Sequence, residues 1–545
     1  MEAPIIPICK RILLAGAAAL FASTPAWAAA QAGDLAAYLK ARAADAEGDA
    51  AVAVTGYAAA LEAAPDNPVI ALRAYRAALD AGDAALTDRA VAALNRAGVA
   101  PADSAVVALA AAAASGDARG AGAAIDRMDS TPLGFLAPVL RAWQAYDRGE
   151  ANPIAKLDAA NNPIGRRYYA ENRALLLIAT GQVDDGVAAA RALLGPDQGS
   201  FDFRIAAAQL LAAKGRADLG QSLLAGDDPV LSGFRAGLGN GARPGLAFGA
   251  SRLFDRLASD LSHGDSSPLT VVLARSALRL DPRDDRARLL LAQGLEGRGE
   301  TALALAALDG IDPAGPFASI ARAARIAVLD DAGDQAQALT VAAQLNGEPG
   351  ATAADAQRYG DALVALHRYA EAAQAYDEAI RRAGAEADWA LYLQKGGALE
   401  QAGNWPEARA ALEKAVAMAP NEPLALNYLG YAEIEHGGDL AAAQSLLEKA
   451  NTLKPGDPAI TDSLGWAYFK RGDAARALPL FERAVEGQPA DETINEHLGD
   501  AYWKTGRRFE ARYAWRAAAV TAEGDDKARL LAKIENGLGA GAVRN

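Results

Sequence analysis

The feature that most restricts this chain is an internal repeat of 34 residues. Residues 458–491 read PAITDSLGWAYFKRGDAARALPLFERAVEGQPAD. Leu464, Gly465 and Tyr468 lie in one amphipathic segment, Gly472 at a turn, Ala477, Phe481 and Ala484 in a second segment, and Pro489 at its end. Leu498, Gly499, Tyr502, Gly506, Ala511, Trp515 and Ala518 follow at the same offsets without a gap. One unit of this length cannot bury its apolar face alone, so it must stack on its neighbours, and a fixed period overrides the several globular domains that 545 residues would otherwise suggest. The composition agrees with helices, since 52% of residues are hydrophobic but only 6% aromatic, leaving a small, aliphatic, alanine-rich apolar content.

Small residues recur where helices must approach closely, as Gly396, Ala408 and Ala415, and again as Gly360, Ala372 and Ala379. Gly403, Gly472 and Gly506 sit where the first helix of a unit stops, a place that favours left-handed backbone. Pro65, Pro282, Pro420, Pro455 and Pro489 close the second helix. These residues resemble the tetratricopeptide repeat (TPR). The resemblance implies an all-α fold, a TPR-like α-solenoid in which antiparallel helix pairs wind into a right-handed superhelix.

Gly48, Ala53, Tyr57, Ala60 and Pro65 put the same frame at 34–67, so the array is expected to start early and to hold about fourteen hairpins. The expected divisions are degenerate repeats over 29–225, a linker or hinge at 226–249, central repeats over 250–386, well-formed repeats over 387–525, and a capping helix with a frayed tail over 526–545. The hinge rests on the seven glycines and two prolines of GDDPVLSGFRAGLGNGARPGLAFG. The cap is placed at 527–538, over an apolar face that no further repeat protects. For the first half the alternative is a generic alanine-rich helical solenoid without true repeats.

Lys10 and Arg11 precede an apolar run from Ile12 to Ala22 and a small-x-small site at Ala26-Trp27-Ala28, the three-part pattern of a cleaved signal peptide over 1–28. A membrane anchor would need roughly twenty apolar residues where this run has about eleven. The reading predicts export to the periplasm, with no transmembrane segment in the mature chain. The only cysteine, Cys9, precedes the basic pair and cannot be the acylated cysteine of a lipoprotein. The mature chain would then lack any disulfide, thiolate metal site or cysteine nucleophile. A net charge of −14 without a run of Lys and Arg argues against nucleic acid as a partner.

Four histidines, His263, His367, His436 and His497, fall in different repeats with no metal-ligand spacing. His367 takes a turn position held elsewhere by glycine, and His436 precedes Gly437 and Gly438, so both read as helix-end residues. No nucleophile elbow or phosphate-binding loop is present; Gly239-Asn240-Gly241 has no strand before it. No catalytic, cofactor or metal site is therefore expected. An enzyme hidden in 226–249 or the degenerate first half is the remaining rival.

Function is expected on the concave face that repetition creates. Successive first helices would place Asn427, Tyr431 and Ile434, then Asp462, Trp466 and Phe469, then Glu496, Asp500 and Trp503, on one stripe, with His497 beside it. An aromatic and acidic stripe suits protein binding. The alternative is that Tyr431, Trp466 and Trp503 pack as core between helices. The segments LNYLGYAEIEHGG, ITDSLGWAYFKRGD and TINEHLGDAYWKTGRRFEARYAWRAA resemble the C-terminal region of exported bacterial TPR proteins. Their best-understood relatives are outer-membrane lipoproteins that bind a periplasmic C-terminal processing protease and deliver peptidoglycan hydrolases to it. The resemblance implies a non-enzymatic adaptor for such partners, and the missing lipidated cysteine departs from it. A glycan-binding or polysaccharide-export component is the alternative.

Overall fold

The computed structural model describes residues 26–158, 160–195, 198–262 and 268–539. His263, the tail beyond residue 539 and all but the end of the expected signal peptide lie outside them. Among the described residues there are thirty α-helices and no strand, and the chain divides into two compact units, Met1–Ala332 and Gly333–Asn545.

In the second unit the repeat frame becomes a row of helix pairs: Ala353–Ala365 with Tyr369–Ala383, Trp389–Gln401 with Trp405–Met418, Pro423–Glu435 with Leu440–Leu453, Pro458–Lys470 with Ala474–Gly487, and Glu492–Lys504 with Arg508–Thr521. Each first helix starts on a cap whose side-chain oxygen accepts from an otherwise orphaned amide, as Asp388 does from Leu391, Asp457 from Ile460 and Asp491 from Ile494. Each pair is then locked by a small residue facing a large one. A Cβ added to Gly465 would sit 2.7 Å from the Phe481 ring, and one added to Gly360 would sit 2.6 Å from the Tyr376 ring. Gly499 faces Trp515 in the same way. Trp515 is fully buried, and burying an aromatic of that size contributes about 3 kcal/mol. The last described helix of the unit is Gly524–Asn536, whose Leu530 packs with Ala511, Trp515 and Ala518.

The first unit begins with pairs of the same kind, among them Ala26–Glu47 with Ala50–Ala63 and Pro68–Ala81 with Ala84–Arg96. Over 34–67, Ala53, Tyr57 and Ala60 are buried and Gly48 turns at φ +77°. Further along, the helix Leu246–Leu261 packs on Ala137–Asp147, Gln198–Ala213 and Ser104–Ser115, while Pro268–Leu280 packs on Ser104–Ser115 and Pro68–Ala81. The array therefore folds back on itself. Arginines tie the return: Arg275 donates to the Leu79 carbonyl at 3.0 Å, Arg279 grips Asp88 at 2.7 and 2.6 Å, and Arg298 grips Asp80 at 2.5 and 2.7 Å. Paired forks of this geometry hold a planar carboxylate in one orientation.

A linker or hinge is expected at 226–249, and the boundary between the two compact units lies at Ala332 and Gly333. Residues 226–249 instead hold the helix Pro229–Ala236, with Leu231 buried, and are stitched into the first unit. Ala242 donates to the Gln209 carbonyl at 3.1 Å and Leu246 to the Asp147 carboxylate at 2.9 Å. Gly249 lies against the Trp143 ring, an approach no side chain would permit. The glycines that read as a break in helical pattern serve close packing here.

Candidate functional site

The acidic and aromatic stripe of the second unit exists, but most of it is turned inward. Asp462, Trp466, Phe469, Glu496, His497 and Asp500 are buried, and only Asn427, Tyr431 and Trp503 remain partly exposed. The reason is complementarity between neighbours. The His497 ring stacks on Trp466 with centroids 3.9 Å apart and planes 13° from parallel, while its Nδ1 lies 2.9 Å from the Asp462 carboxylate. Trp466 Nε1 donates to Glu435 at 2.7 Å. One repeat on, Lys533 of the capping helix enters the core and donates to Glu496 at 2.6 Å and to both oxygens of Asp500 at 2.8 Å. Arg529 joins it on Glu496, and Trp515 Nε1 donates to Asp500 at 2.9 Å. Burial pushes the Asp500 carboxyl above its ordinary range, against the pull of Lys533.

Glu496 and Asp500, two carboxylates of the stripe, are met by Lys533 of the chain's own last described helix. Lys533 was the missing term, since it lies beyond the repeat frame and nothing local marks it as a core residue. His367 does take a glycine-like turn, at φ +57°, with Nδ1 2.6 Å from the Tyr369 hydroxyl. His436 follows the helix Pro423–Glu435 as its C-cap and stacks on Trp405. Among the described residues no group of three or more His, Cys, Asp or Glu is arranged to hold a metal ion, and no helix is long and apolar enough to cross a membrane.

A second site was not expected. The first unit forms a half-open cavity of about 1030 Å³ between Gln198–Ala213, Leu246–Leu261 and the start of Asp285–Glu296. Its wall is ionic. Arg252 bridges Asp281 at 3.0 Å and Asp255 at 3.3 Å and also meets Asp284; Arg286 pairs with Asp202 at 3.1 Å; Arg256 lies 3.5 Å from Glu171. Burial, reinforced by Asp284, drives the Asp255 carboxyl well up, while Arg252 overcomes the effect of burial at Asp284 and holds it down. Burial likewise raises Glu171. The dense charges of RLFDRLASD and DPRDDRAR were the available signal, but each run alone looks like a solvated helix face. Only the fold-back brings them together.

The architecture defines a class: an all-α solenoid of TPR type. Within it, the sequence model of the tetratricopeptide repeat family matches residues 359–423, 393–458 and 463–527, so this part of the second unit carries tetratricopeptide repeats. No curated protein matches the chain. Among solved structures, a tetratricopeptide repeat protein from Parabacteroides merdae is similar at 14% identity, over 46% of this chain and 99% of that one, with a TM-score of 0.41. A thermophilic TPR protein of Thermus thermophilus is similar at 20% identity over 34% of this chain and 100% of its own, with a TM-score of 0.31. MamA from Desulfovibrio magneticus is similar at 20% identity over 30% of this chain and 92% of its own, with a TM-score of 0.27.

Proposed function

We propose that this chain is a non-enzymatic scaffold of the periplasm that holds a protein partner against its second unit and links an envelope protease or a cell-wall hydrolase to its substrate. The observation that carries the reading is the row of tetratricopeptide repeats within 359–527, because stacked helix pairs present an extended surface whose natural ligand is another polypeptide. The signal-like first 28 residues support the periplasmic part, and the resemblance of the last three repeats to exported adaptors supports the choice of partner.

Asn427, Tyr431 and Trp503 are the stripe residues that stay partly exposed. A photo-crosslinking residue at each of these positions, in cells, is expected to capture a protease or hydrolase of the envelope. The same residue at Phe469, which is buried, serves as the internal control. Equal capture at the open and buried positions, or capture of no envelope protein at the open ones, would refute the reading. Mass spectrometry of the mature N-terminus tests export, with Ala29 expected as its first residue.

A further inference from the structure

We propose that the cavity of the first unit is a binding site for a neutral saccharide. This goes beyond the scaffold reading and rests on different residues, so either can fail without the other.

The cavity has the volume of a small-ligand site, about 1030 Å³, at the upper end of the usual range. Its buried charges are already matched. Arg252 is held by Asp284, Arg286 by Asp202 and Arg256 by Glu171. A charged ligand would have to break one of these pairs in a medium where an uncompensated charge is costly. A neutral ligand leaves them in place.

What the pairs leave over is hydrogen-bonding capacity of both signs. Asp255 is 2% exposed and its Oδ1 has no hydrogen-bond partner. Gln209 Oε1 and Arg252 Nε are also buried without one. Two carbonyl-type oxygens and one N–H group thus await a ligand, and Arg252 and Asp255 lie on one face of the helix Leu246–Leu261 at the spacing of adjacent turns. A sugar hydroxyl donates and accepts at once, and neighbouring hydroxyls repeat that capacity side by side, so the ligand satisfies groups that would otherwise be buried at a cost. Beside them Phe234 and Phe317 meet edge to face at 5.6 Å and give the cavity an apolar wall. Such a wall suits the C–H face of a pyranose ring, which is apolar where its rim is polar.

The test is calorimetric titration of the full chain with maltotetraose, cellotetraose, tetra-N-acetylchitotetraose and, as a peptide probe, tetra-alanine. At least one saccharide is expected to bind and the peptide is not. Asp255→Ala and Phe234→Ala should each weaken binding about tenfold or more, as loss of a buried hydrogen bond or of an aromatic contact does, while Phe509→Ala in the second unit leaves it unchanged. Should Asp255→Ala lose helical circular dichroism, Phe234→Ala at its half-exposed position decides alone. No binding of any saccharide, binding indifferent to both cavity variants, or binding of the peptide in preference would overturn the proposal.

Discussion

Lys533 shows how one side chain redirects a surface. It is 1% exposed, and its ammonium is the buried counter-charge to Glu496 and Asp500, themselves almost wholly enclosed. Lys533→Met keeps the volume and removes the charge, leaving two buried carboxylates without their lysine; we expect a loss of about 3–5 kcal/mol in chemical denaturation. A loss under about 1 kcal/mol, the range of an exposed pair, would mean the pair is solvated. Tyrosines make a second statement, about pH. Burial holds the phenols of Tyr75, Tyr376 and Tyr428 well above their ordinary 10, and nearby Asp103, Asp361 and Glu400 add to the effect. A folded value raised above the unfolded one contributes stability that is complete below pH 10 and lost as pH rises through the folded values. Ionisation of these three phenols should therefore come together with loss of helix, above pH 10. Ordinary, reversible ionisation of all tyrosines near pH 10 with helix intact would contradict the burial.

At the scale of the helix pair, the small residue of the first helix and the large one of the second form a single device. Gly465→Ala gains about 1 kcal/mol of helix propensity but forces its Cβ into the fully buried Phe481 ring, and overpacking of that kind costs about 1–3 kcal/mol. The expected result is a net loss of stability that shrinks in a Phe481→Leu background, since leucine fills the matching place at Leu412 and Leu447 opposite Gly396 and Gly430. Equal cost in both backgrounds would show the two positions to be independent. This device was legible without a structure, because it repeats at a fixed offset. The inward turn of the stripe was not: Asp462, Trp466 and Asp500 fall on the geometric face that an isolated pair leaves open, and their burial is decided by His497 and Lys533 arriving from the next elements.

At the scale of the whole molecule, each unit has its own core: one large apolar cluster runs from Ala41 to Val328, while separate clusters such as those around Phe481 and Trp515 fill the second unit. Residues 333–545 expressed alone should give a helical spectrum and cooperative melting, and calorimetry of the full chain should resolve into two transitions, one of them matching the fragment. A fragment without structure, or one indivisible transition, would show that the second unit depends on the first. The sequence by itself determined the helices and their pairing, because these depend on residues near one another in the chain, on periodicity, and on caps and glycines with local geometric demands. Only the tertiary structure decided where the chain divides, which charged residues are interior, and that a cavity exists at all. Those outcomes depend on contacts such as Arg279 with Asp88 and Arg298 with Asp80, between segments remote in sequence, for which no period leaves a trace.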